Sequence, residues 1–139
     1  MNNTFQNALT FLGRLALVAL FLPAGISKIS GFEGTVGYIN SVGLPLAAFG
    51  AVIAIIIEIG GGLALLTGLF ARPAALVLAL FTAVASFAFH AYWAVPAEQA
   101  FIQQLLFYKN LAVVGGLLIL AAQGPGTWSL GSQGSRVKA

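Results

Sequence analysis

The stretch LPLAAFGAVIAIIIEIGGGLALLTGLFARPAALVLALFTAVASFAFHAYW, residues 44–93, decides the fold. It holds two apolar runs, Leu44 to Phe70 and Pro73 to Trp93, divided only by Ala71 and Arg72. Each reaches the roughly 20 residues that a helix needs to cross about 30 Å of hydrocarbon. A break of two residues forces the pair into a tight antiparallel hairpin. The first run exceeds one crossing and is expected to tilt or to begin in the interface. Pro45 suits its first turn. One charge, Glu58, lies far inside it. A carboxylate near the bilayer centre costs about 2.5–3.5 kcal/mol on insertion scales, so such a group pairs with another or serves a function.

Two further runs flank the hairpin. Leu9 to Ile29 precedes it, with Pro23 and Gly25 expected to kink its outer third. Phe101 to Ala122 follows and is stopped by Gly124-Pro125-Gly126. The prediction is an all-α, four-helix transmembrane bundle over residues 1–122, with helices at about 9–29, 44–70, 73–93 and 101–122. Residues 123–139 are expected to form a flexible cytoplasmic tail. The connection from Ser30 to Gly43 carries Gly31, Gly34, Gly37 and Gly43, and reads as a half-buried lid or re-entrant loop over the bundle mouth. There is no internal repeat.

Composition agrees. The chain is 60% hydrophobic and 6% charged, against about 25% charged in soluble domains. No cysteine is present, which removes disulfides, thiol catalysis and iron–sulfur ligation. The single histidine excludes bis-histidine haem within one chain. A metal site would need Glu58, His90 and Glu98 together, and their depths disagree. The net charge of +3 flanks the helices and reads as an orientation signal, not as nucleic-acid affinity. The N-terminus lacks a basic segment and a small-residue cleavage pattern, which argues against a cleaved signal peptide. With the N-terminus inside, Arg14, Arg72, Arg136 and Lys138 fall on the inner side and Lys28 and Lys109 on the outer. Both termini are therefore expected in the cytoplasm of a bacterial cell, with Tyr92 and Trp93 in the outer aromatic belt.

Helical spacing aligns the polar residues with small ones. Arg14, Phe21, Gly25 and Lys28 share one line of the first helix. Glu58 shares a face with Ala54, Gly61, Gly62 and Leu65, His90 with Ala79, Ala83 and Ser86, and Lys109 with Ala112 and Gly116. Small residues mark close helix approach in membranes, and Gly60, Ala64 and Gly68 form a small-xxx-small ladder. An interior polar site in the outer half of the bundle follows. Its candidate catalytic residues are Glu58 and Lys109; its candidate binding residues are Lys28, His90, Asn110 and Arg14.

Each residue also has a structural reading. Glu58 and Lys109 form either a proton or ligand site or a buried ion pair that fixes helix register. Arg14 and Lys28 read as snorkelling anchors as readily as ligands. His90 stands beside an aromatic belt, and Asn110 suits an interhelical hydrogen bond. The Gly60-Gly61-Gly62 run is packing, because no strand precedes it.

The blocks GRLALVALFLPAGISKISGF, EIGGGLALLTGLFARPAAL, FAFH and FYKNLAVVGGLLIL occur in this order between residues 11 and 121. Together they resemble the DoxX family of small four-helix membrane proteins. The resemblance implies an association with quinone-linked oxidoreductase assemblies, thiosulfate:quinone oxidoreductase among them, and with quinone or thiol stress responses. The absent cysteines argue against thiol chemistry in this chain. Two functions stay open. One is a quinone-binding component of an inner-membrane oxidoreductase assembly, in which Lys109, Asn110 and His90 donate to the carbonyl oxygens and Glu58 relays protons. The other is a non-catalytic scaffold or assembly protein with structural charges. A small transporter fits less well without repeats. Expected partners are the bilayer, a lipophilic quinone, a soluble or membrane redox protein and further copies of the chain.

Overall fold

The computed structural model describes residues 3–130. Five α-helices follow in order: α1 (Asn3–Ser30), α2 (Phe32–Ser41), α3 (Ala47–Thr67), α4 (Ala71–Phe89) and α5 (Ala97–Gln123), with a single 3₁₀ turn at Tyr92–Ala94. Four of these, α1, α3, α4 (carried on to Ala94) and α5, are long and apolar enough to cross a membrane. The protein is an all-α, four-helix transmembrane bundle.

Helix ends follow local chemistry. Gly68 closes α3 in the left-handed region, φ 77°, with its N–H bonded to Ala64 O, and Gly124 closes α5 at φ 90°. Pro45 falls outside α3, whose first residue is Ala47. The expected first-turn proline is corrected accordingly, because the turn at Leu46 precedes the helix. Pro23 lies inside α1 without ending it.

The connection after α1 is also corrected. It is the helix α2, not an irregular loop. Its glycines have low helix propensity, but Phe32, Val36 and Ile39 recur at helical spacing. Ile39 is buried with Ala47 and Ala51, and Phe32, Val36 and Phe89 pack around them. Tyr38 stacks on Phe89 with ring centroids 5.0 Å apart. α2 thus lies as an amphipathic lid across the start of α3 and the end of α4. That end of the bundle is called the lid end. The opposite end carries the C-termini of α3 and α5.

α1 packs along α3, α3 along α4 and α4 along α5, whereas α1 and α5 meet only sparsely. The main core, with Val18, Phe21, Leu65, Leu78 and Leu117, fills the half away from the lid. Glycines set two of the contacts. A Cβ on Gly61 would stand 2.8 Å from the Leu78 side chain, and one on Gly62 would stand 3.2 Å from Leu22 Cβ. Gly60 faces open space and is exposed. The interhelical contact is therefore made by Gly61 and Gly62, not by a ladder that starts at Gly60.

Candidate functional site: a buried ion pair and a lateral groove

Glu58 is 6% exposed, and its partner is Lys28. The ammonium lies 3.0 Å from Oε1 and 2.8 Å from Oε2. Helical side chains lean toward their own N-terminus, so Lys28 reaches down α1 from the lid end and also donates to Ala24 O at 3.4 Å. Gly25, one turn below, makes the pairing possible: a Cβ there would stand 2.7 Å from Ile59 Cγ1 and 3.0 Å from Glu58 Cβ. The small residue brings the backbones together just where the charges meet. The expected alternative, a Glu58–Lys109 pair, is corrected by this geometry.

Lys109 points elsewhere. It is exposed and lines a cavity of about 620 Å³ between α1 and α5. Gly13, Leu17 and Leu20 of α1 and Ala112, Gly116 and Ile119 of α5 form its walls, and Arg14 and Gln123 stand farther along. The shared face of Lys109, Ala112 and Gly116 is real, but it opens on this groove and not on the bundle interior. Glycines widen the groove, since a Cβ on Gly13 or Gly116 would meet nothing within 4 Å. Gly13 is a feature that the sequence reading missed. Asn110, next to Lys109, is half-buried on a different face of α5.

Arg14 is 2% exposed and is no snorkelling anchor. Its guanidinium donates to Pro125 O at 2.7 Å, to Trp128 O at 3.0 Å and to Leu66 O at 3.4 Å. It also lies 5.5 Å from the Phe11 ring centroid. These carbonyls belong to the last turn of α3 and to the segment after α5, where helix carbonyls lack internal partners. Arg72 repeats the device by donating to Gln123 O at 3.1 Å. Residues 124–130 are tied to the bundle by these bonds, and the rest of the expected tail, 131–139, lies outside the described residues. His90 sits at the lid end, where its Nδ1 lies 2.8 Å from Gln103 Oε1. Beside it Phe87, Tyr92, Trp93, Phe107 and Tyr108 form a cluster of mostly edge-to-face rings. No group of three metal-ligating side chains occurs among the described residues.

A buried lysine–glutamate pair held by a glycine contact joins α1 to α3, and arginines close the far end. A family model described as DoxX matches residues 9–91, from within α1 to just past the end of α4. The chain belongs to the DoxX family. It is 40% identical over 117 residues to the inner membrane protein YqjF of Escherichia coli (strain K12), covering 84% of this chain and 85% of that one. It is 34% identical over 122 residues to the inner membrane protein YphA of the same organism, covering 88% and 87%. A Bacillus subtilis (strain 168) protein named "Putative oxidoreductase CatD" is 36% identical over 80 residues, 58% of each chain. No solved structure matches. This DoxX protein is thus an integral membrane protein whose Escherichia coli relatives are named for the inner membrane.

Proposed function

We propose that the protein is a quinone-binding component of a membrane oxidoreductase assembly, with the ligand entering the α1–α5 groove directly from the bilayer. The groove carries this reading. It is apolar, about 620 Å³ in volume and bounded by Lys109, within the range of small-molecule sites. A quinone needs an apolar slot for its ring and tail and a donor for a carbonyl oxygen, and the Lys109 ammonium supplies the donor. The oxidoreductase name of a Bacillus relative supports the redox setting. Electrons or hydride would come from a partner protein or a second substrate.

The other charges favour a structural role. Lys28 and Glu58 pair with each other, and Arg14 donates to carbonyls. That separates the six expected site residues: Lys109 lines the groove, Asn110 beside it faces elsewhere, His90 bonds Gln103 nearer the lid, and Glu58, Lys28 and Arg14 hold the bundle. The scaffold reading draws on the same three residues. The two readings part at the groove. Extraction in lipid-polymer discs, followed by mass spectrometry of co-purifying lipophiles, decides between them. Stoichiometric quinone in the wild type, reduced in Lys109→Met and lost in Gly116→Leu, which fills the groove, is the expected result. Quinone at bulk membrane level in all three samples would refute the proposal and favour the scaffold.

A further inference from the structure

Thr82 and Ser86 of α4 are 5% and 4% exposed, and neither hydroxyl has a hydrogen-bond partner among the described residues. Elsewhere in the chain the helical hydroxyls bond locally: Thr10 to Gln6 O, Ser27 to Ala24 O and Thr67 to Leu63 O. That bond is within reach of every helical serine and threonine. Thr82 and Ser86 forgo it and aim into the bundle.

What they face follows from register. α3 and α4 run antiparallel and touch at Gly61 and Leu78. One turn toward the lid from Gly61 is Glu58; one turn toward the lid from Leu78 is Thr82. The two stand at the same level, with Ser86 one turn higher and His90 one turn above that. Glu58 Oε2, although 2.8 Å from Lys28 Nζ, accepts no aligned hydrogen bond. By register, three buried polar atoms thus fall within about one helical turn of each other, a single polar layer of the bundle. The apolar core of Phe21, Leu65 and Leu78 lies below it, and the Ile39 cluster lies above, on the α2 side.

We propose that this layer is a water-binding site, with water held by the Thr82 and Ser86 hydroxyls against the Glu58 carboxylate and supplied from the lid end past His90. The chemistry selects water over an ion. The lysine–glutamate pair carries no net charge to attract one, and hydroxyls beside a carboxylate call for a guest that both donates and accepts. Spacing fits too, since residues four apart on a helix stand about 5–6 Å apart, the span that one water bridges with two hydrogen bonds. Buried waters typically make about three bonds to groups otherwise unsatisfied. The side chains packed directly beneath Glu58, Phe21, Leu65 and Leu78 among them, are apolar, so the lid end is the side from which water would be supplied.

Hydroxyl-radical footprinting by X-ray radiolysis, on the full chain in lipid discs, tests this because it oxidises side chains next to bound water. Ile57 and Ile59, which flank Glu58, are expected to label several-fold more than Leu65 and Leu78. In Thr82→Val/Ser86→Ala, a near-isosteric change, that excess should fall several-fold while the helical circular dichroism stays unchanged. Wild-type labelling beside Glu58 no higher than at Leu65 and Leu78 would overturn the proposal, whatever the variant does. So would an excess that persists in a folded double variant. The result is independent of the groove, because Gly116→Leu leaves this layer untouched.

Discussion

At the scale of single residues, the question is which buried charge serves which partner. Removing one member of a buried pair leaves the other uncompensated, at a cost of about 3–5 kcal/mol. Glu58→Gln and Lys28→Met are each expected to lower thermal stability strongly, and the double variant to recover much of the loss. A double-mutant cycle by thermal unfolding in detergent measures that coupling; additive losses would contradict the pairing. The same cycle with Lys109→Met in place of Lys28→Met should show no coupling. Arg14 poses a different case. Its planar fork serves three carbonyls at once, Pro125 O, Trp128 O and Leu66 O, and a lysine ammonium is a point charge without that geometry. Arg14→Lys should cost about 1.5–3 kcal/mol, the worth of one charged hydrogen bond. It should also open residues 124–130 to limited proteolysis, and a wild-type cleavage pattern would count against the clamp.

At the scale of helices, glycines divide into those that bring backbones together and those that do not. Gly25 is of the first kind, with Ile59 N at 3.1 Å and Ile59 Cγ1 at 2.7 Å from an added Cβ. Gly25→Ala must part α1 from α3 and should destabilise by about 1–3 kcal/mol, the usual cost of overpacking. Gly60→Ala meets nothing within 4 Å and should be neutral or stabilising by about 0.5–1 kcal/mol, through helix propensity alone. Thermal unfolding of the two variants side by side checks the contrast. The buried faces were legible in the sequence because a 3.6-residue period fixes which side chains share a side: Arg14, Phe21 and Gly25 on α1, and Ala54, Glu58, Gly62 and Leu65 on α3, are buried as aligned. The partner of Glu58 was not legible. Spacing gives depth and face but not which helices are neighbours, so it could not choose between Lys28 and Lys109. A signal did exist in Gly25, one turn from Lys28, as a mark of close approach. α2 was hidden by its glycines, although Phe32, Val36 and Ile39 carried its period.

At the scale of the whole molecule, the bundle is closed along three seams and open along the α1–α5 seam, so its orientation decides which leaflet the groove meets. The lid end carries Lys28, Glu33 and Glu98, one positive charge against two negative, with Lys109 about halfway along α5, while the opposite end carries Arg14 and Arg72; Arg136 and Lys138 lie outside the described residues. Excess lysine and arginine marks the cytoplasmic side. Arg14 is spent on buried carbonyls, yet Arg72 is exposed and remains available to that bias. The lid end should therefore face away from the cytoplasm, which puts the Lys109 end of the groove near the bilayer centre and the rest of the groove in the inner half. The absence of native cysteine makes the test direct. Asn40→Cys on the exposed lid and Gln6→Cys at the far end are each treated with a membrane-impermeant maleimide in intact cells. Labelling at residue 40 and protection at residue 6 until the cells are opened is the expected outcome. The reverse pattern would turn the bundle over, expose the water-binding layer to the cytoplasm, and place any redox partner that reaches the lid there as well.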